Sequence, residues 1–96
     1  MQELKTKVKR YMELKEILQK MRKEPIGNRI KKGGILEQRI KKVFPKRANQ
    51  ILKRTDSYTF DQWDMLKTEF VKLRNELEER NIITYNEEYE EVINII

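Results

Sequence analysis

The chain contains no cysteine and no histidine. Without thiols there can be no disulfide, no thiolate nucleophile and no thiolate zinc site. Without imidazole, the commonest metal ligand and the usual general base near neutral pH are also missing. No apolar run approaches the roughly 20 residues that span a bilayer. The opening residues, Met1 to Lys5, lack the uninterrupted apolar stretch of a secretory leader. Neither a nucleophile with its base nor a set of metal ligands can be assembled. Asp61 and Asp64 could share a helix face, but no third ligand accompanies them. These absences lead to the expectation of a cytoplasmic, non-enzymatic protein without cofactor or metal.

What the chain has is charge, amounting to 40% of its 96 residues. Residues 1–54 carry 18 Lys and Arg against 5 Glu, whereas residues 55–96 carry 4 basic and 11 acidic residues. The modest net charge of +6 therefore hides two fields of opposite sign. A basic segment attracts phosphate backbones, and an acidic one attracts basic partners.

With 38% apolar residues, one small domain with a moderate core is expected. Leu4, Val8, Tyr11, Leu14, Leu18 and Met21 recur three and four apart, which predicts an amphipathic helix from about Glu3 to about Lys23. Pro25 closes it. Residues 25–34 hold all three glycines together with Arg29, Lys31 and Lys32, and read as a mobile basic loop. Leu36, Ile40 and Val43 predict a short helix with those residues inward. A second follows, with Ala48, Ile51 and Leu52 inward and Pro45 in its first turn.

At Thr59 the pattern is clearest. Gln62 falls three residues later, completing a capping box, and Tyr58 and Trp63 occupy the positions of a hydrophobic staple. Phe60, Trp63, Leu66, Phe70, Leu73 and Leu77 then mark a helix to about Arg80, ending at Asn81. Trp63 and Phe70 read as packing residues, while Tyr11 and Tyr58 read as the exposed aromatics. Beyond a link at residues 82–84, Tyr85, Tyr89, Val92, Ile93 and Ile96 suggest a final helix with an acidic outer face. The predicted fold is all-α: residues 1–24, 25–34, 35–54, 55–81 and 82–96 as helix, loop, helix pair, long helix and terminal helix.

The central pair has the outline of a helix-turn-helix. Its outer face offers Lys46, Arg47, Asn49, Gln50, Lys53 and Arg54. Arg forks onto guanine, Asn or Gln onto adenine, and Lys binds phosphate. Arg29, Lys31, Lys32, Arg39, Lys41 and Lys42 extend the same candidate nucleic-acid surface. The cations of residues 3–23 are spread around a polar arc and read as a solvated face, not a membrane anchor. In the tail, Tyr89, Val92, Ile93 and Ile96 are the candidate contacts for a protein partner in a groove.

The basic Pro-Ile-Gly-Asn-Arg-Ile-Lys-Lys-Gly-Gly segment, the short helices and the Asn-Glu-Glu-Tyr-Glu-Glu end together resemble small accessory proteins of bacterial mobile elements and phages. The kind in view accompanies a cassette-encoded DNA polymerase or primase. That resemblance implies DNA binding, single- or double-stranded, plus a larger protein partner such as a polymerase, primase or helicase. It transfers no site residues. Two other readings stand beside it: an inhibitor or adaptor that binds a host protein without DNA, and a helix-turn-helix repressor that dimerises through residues 3–23.

Overall fold

The computed structural model describes residues 2–94. Its elements in order are α1 (Gln2–Arg22), a short 3-10 helix (Ile26–Arg29), α2 (Ile35–Val43), α3 (Ala48–Ile51), α4 (Phe60–Glu79), β1 (Ile83–Tyr85) and β2 (Glu91–Ile93). The fold is mainly α with a small antiparallel hairpin, so the expectation of a purely helical chain is corrected. Among the described residues, no helix is long and apolar enough to cross a membrane.

The apolar stripe of α1 is buried at Val8, Tyr11, Leu14 and Leu18, mostly against α4. Tyr11, expected at the surface, is only 1% exposed. Its ring stacks on Phe70 with centroids 5.0 Å apart, and its hydroxyl donates to Glu91 at 2.7 Å. Burial and that carboxylate both push the phenol well above its ordinary pKa. Val8, Tyr11, Leu77 and Ile83 form the main core, with Phe70, Leu73, Ile82 and Ile93 packed on it. The α1 stripe offered above for dimerisation is thus largely covered by α4.

Charges close the α1–α4 seam. Lys7 reaches Glu76 at 2.6 Å, and Arg10 meets both carboxylate oxygens of Glu69 at 2.8 and 3.0 Å. The two fields of opposite sign therefore neutralise each other in part within the fold.

Helix α4 begins as its sequence predicts. The Gln62 N–H donates to Thr59 Oγ1 at 3.2 Å, and the Thr59 N–H donates to Gln62 Oε1 at 2.8 Å. Two donors that helix geometry would orphan are satisfied reciprocally. The helix stops before Asn81, whose φ of 58° is left-handed.

The terminal helix does not form. Instead β1 and β2 pair in the register Ile83–Ile93, Thr84–Val92 and Tyr85–Glu91. Asn86 drives the turn: its side-chain oxygen accepts the N–H groups of both Glu88 and Glu90, at 2.9 and 2.8 Å. Such bonds compete directly with helical ones. Tyr89 then adopts a φ of 61°, and the Asn94 N–H donates to the Ile82 carbonyl at 2.7 Å. The hairpin brings Ile83 and Ile93 to the core together, which a helix over the same residues would not.

A second, smaller core consists of Ile30, Ala48 and Leu52, with Ile40 partly buried on it. The radius of gyration is 17.0 Å and the extents are 53 × 29 × 21 Å. A compact chain of this length would have a radius near 12–13 Å. The molecule is elongated.

Candidate nucleic-acid interface

The segment read as a mobile loop is anchored at its start. Asn28 is 3% exposed; its amide donates to Thr55 Oγ1 and its carbonyl accepts the Thr55 N–H, both at 2.7 Å. Gly27 is buried against the backbone of Leu52 and Lys53, leaving no room for a Cβ. This contact requires glycine through close approach, not through an unusual φ. The 3-10 helix is thereby fastened to the chain that follows α3.

A second anchor uses Glu37, buried on α2. Its Oε2 accepts from Arg54 at 2.6 Å, and its Oε1 accepts the Gly33 N–H at 3.3 Å. Lys41 approaches the same carboxylate at 3.4 Å. The Arg54 guanidinium beside it, then the Gly33 N–H, hold the Glu37 carboxyl below the usual carboxylate range. Arg54 also donates to the carbonyls of Ile30 and Leu52. It is therefore a structural clamp, and its place on the candidate surface is corrected.

Arg29 is likewise withdrawn from that surface. It is half-buried and lines a cleft between α1 and α4. The remaining sequence candidates stay together. Lys31, Lys32, Arg39, Lys41, Lys42, Lys46, Arg47, Asn49, Gln50 and Lys53 are all exposed. Of these, only Lys41 joins an ion pair among the described residues. Helical spacing sets Arg39 and Lys42 on the outer side of α2, opposite Glu37 and Ile40. The turn between the helices follows from Pro45, with the Arg47 N–H donating to the Phe44 carbonyl at 3.0 Å. Pro45 lies in this turn, before α3 begins, not in the helix itself.

Two further corrections concern apolar residues. On α2 only Ile40 packs inward; Ile35, Leu36, Val43 and Phe44 are 79, 54, 57 and 47% exposed. The small second core cannot reach the whole apolar stripe, so α2 presents cations beside an open apolar edge. Helix α3 spans Ala48–Ile51, four residues and about 6 Å of rise. That is too short to lie along a major groove as a recognition helix does. The arrangement suits phosphate contact better than base reading.

The tail residues share no common face. Tyr89 sits in the turn at 89% exposure, Val92 is 38% exposed, and Ile93 packs on the main core. Alternation along β2 sends Val92 and Ile93 to opposite sides. Ile96 lies outside the described residues. Tyr58, expected at the surface, is half-buried and donates its hydroxyl to the Met21 carbonyl at 3.0 Å. Among the described residues no group of three or more carboxylates could hold a metal ion, Asp61 and Asp64 included.

No protein-family model matches the chain, and searches of curated proteins and of solved structures give no significant match.

Proposed function

We propose that this protein is a non-enzymatic nucleic-acid-binding accessory protein that grips phosphates through the α2–α3 unit. The observation that carries the reading is the state of its cations. Lys31, Lys32, Arg39, Lys42, Lys46, Arg47 and Lys53 are exposed and have no carboxylate partner among the described residues. On α1, by contrast, Lys7, Arg10, Lys15 and Lys20 are engaged by Glu76, Glu69, Glu91 and Glu16, which leaves Lys5, Lys9 and Arg22. The positive excess is thus concentrated on the middle of the chain, where counterion release on phosphate binding supplies affinity. The resemblance noted above supports a place beside a larger enzyme of replication or mobilisation.

A second reading, an adaptor that docks on a protein without DNA, draws on the exposed Ile35, Leu36 and Val43 of α2 and the adjoining Phe44. A single titration separates the two. Labelled single-stranded and duplex DNA are titrated with the full chain across a salt series. If six phosphates are neutralised on duplex, log affinity falls against log salt with a slope of about −5. Changing Lys46, Arg47 and Lys53 together to Gln weakens binding and flattens the slope, with the helical spectrum unchanged. Undetectable binding at low salt refutes the phosphate reading and leaves the adaptor.

A further inference from the structure

Between α1 and α4 lies a cleft of 540 Å³, within the range of small-ligand sites. Its walls join side chains distant in sequence: Lys15 and Arg22 from α1, Arg29 from the 3-10 helix, and Lys67 and Arg74 from α4. Against these five cations the lining offers one carboxylate, Glu91, whose Oε2 is approached by Lys15 at 3.4 Å and bonded by Tyr11, while its Oε1 is sealed without a partner. Arg74 reaches Glu78 at 3.9 Å. Arg22, Arg29 and Lys67 have no carboxylate partner among the described residues.

Arg29 is the most telling of these. It is half-buried, and its Nε is sealed from solvent without a hydrogen-bond partner. A guanidinium taken partly out of water without a compensating anion is costly to keep. The backbone that carries it is fixed, because the residues before it are the packed Gly27 and the doubly bonded Asn28. Its place in the cleft wall is where an anion entering the cleft would meet it.

Aromatic rings lie among the cations. Lys67 Nζ stands 4.7 Å from the Trp63 ring centroid, and the Arg74 guanidinium stands 5.8 Å from that of Phe70. Lys67 is exposed on a flexible stem, so an anion can draw it off the ring and open a face for stacking. Lys67 and Arg74 are one heptad apart, about 10 Å along α4. The row is longer than one phosphate.

We propose that this cleft binds a nucleotide, with its base against Trp63 and its phosphate held by Arg29, Arg22 and Lys67. Aromatic faces interleaved with cations are the general means of holding unpaired nucleotides. The shared chemistry is base plus phosphate, from an unpaired strand or from a free nucleotide. The proposal is independent of phosphate binding by α2–α3.

Trp63 is the only tryptophan, so its fluorescence reports this site alone. The full chain is titrated with a six-nucleotide thymidylate strand, an abasic strand of equal length, thymidine monophosphate and inorganic phosphate. Saturable quenching by the thymidylate strand, by the mononucleotide or by both is expected, and which of them acts identifies the source. Lys67→Gln, a surface change, weakens it about tenfold through loss of a charge-assisted contact, and a folded Arg29→Gln does the same. Changing Lys46, Arg47 and Lys53 to Gln leaves the quenching affinity unchanged. No quenching by strand or mononucleotide overturns the proposal. So does equal response to the abasic strand or to phosphate, undiminished affinity in a folded Lys67→Gln protein, or loss of quenching in the α2–α3 variant.

Discussion

Replacing Gly27 with alanine should unsettle the molecule far more than its place in a basic, glycine-containing segment suggests. A Cβ built there would stand 2.7 Å from the Leu52 carbonyl carbon and oxygen, and nearer still to the Lys53 oxygen. These are backbone atoms, so no side chain can swing aside, and the two strands of chain must separate by several tenths of an ångström or more. Overpacking of this kind costs about 1–3 kcal/mol. Separation also strains the two Asn28–Thr55 hydrogen bonds, worth about 1 kcal/mol each. If the strain forfeits about half of that, the total of ~2–4 kcal/mol lowers by at least about 8 °C the midpoint of the transition in which the smaller core melts. The assay is thermal unfolding followed by circular dichroism at 222 nm. Gly33→Ala is the control: its φ of +71° carries a left-handed penalty of about 1–2 kcal/mol, but nothing lies within 4 Å of the added carbon. If Gly27→Ala costs no more than Gly33→Ala, the close approach is not what fastens the 3-10 helix, and the reasoning fails.

Acid should weaken the fold through three carboxylates. Glu37, Glu69 and Glu76 are held below their ordinary value of 4.5 by hydrogen bonds from Arg54, Arg10 and Lys7 respectively. Because their folded values are the lower ones, the stabilisation is complete above the ordinary carboxylate range and is lost as pH falls through the folded values. The thermal midpoint should decline from pH 6 to pH 3, and replacing all three with Gln should flatten the decline; an unchanged profile refutes the assignment. Tyr89→Gly should raise the midpoint by a few degrees, since it relieves a left-handed tyrosine that is 89% exposed, with a net gain of up to about 1 kcal/mol. A lower midpoint would mean that the Tyr89 ring stabilises the hairpin.

Helix α4 was readable because its signals are local: a cap, a partner three residues on, and a sustained apolar period. The same logic located α1, yet missed that Tyr11 is buried, because the ring that covers it, Phe70, is 59 residues away. The terminal hairpin was misread for a related reason. Tyr85, Tyr89, Val92 and Ile93 fit helical spacing, whereas the deciding bonds come from the Asn86 side chain and from pairing across the turn. Exposed cations from Lys31 to Lys53 were legible because a dense basic segment exceeds any supply of nearby carboxylates. Arg54, just beyond it, finds its carboxylate on α2, 17 residues earlier, and Lys41 shares that carboxylate. Nothing in the sequence could announce the cleft, whose lining is drawn from α1, the 3-10 helix, α4 and the hairpin.

The existence of two separate cores bears on how the chain opens. Ile30, Ala48 and Leu52 are the buried apolar residues of the smaller one, and the cost of exposing so few is slight beside that of parting α1 from α4. Amide protons of α2 and α3 should therefore exchange through a local opening, well below the free energy of global unfolding, while those of α1 and α4 wait for the latter. If the α2–α3 unit grips phosphates as proposed, cations carried on a unit that opens cheaply can be re-spaced to follow an irregular phosphate track. The long helices α1 and α4 keep their shape while this happens.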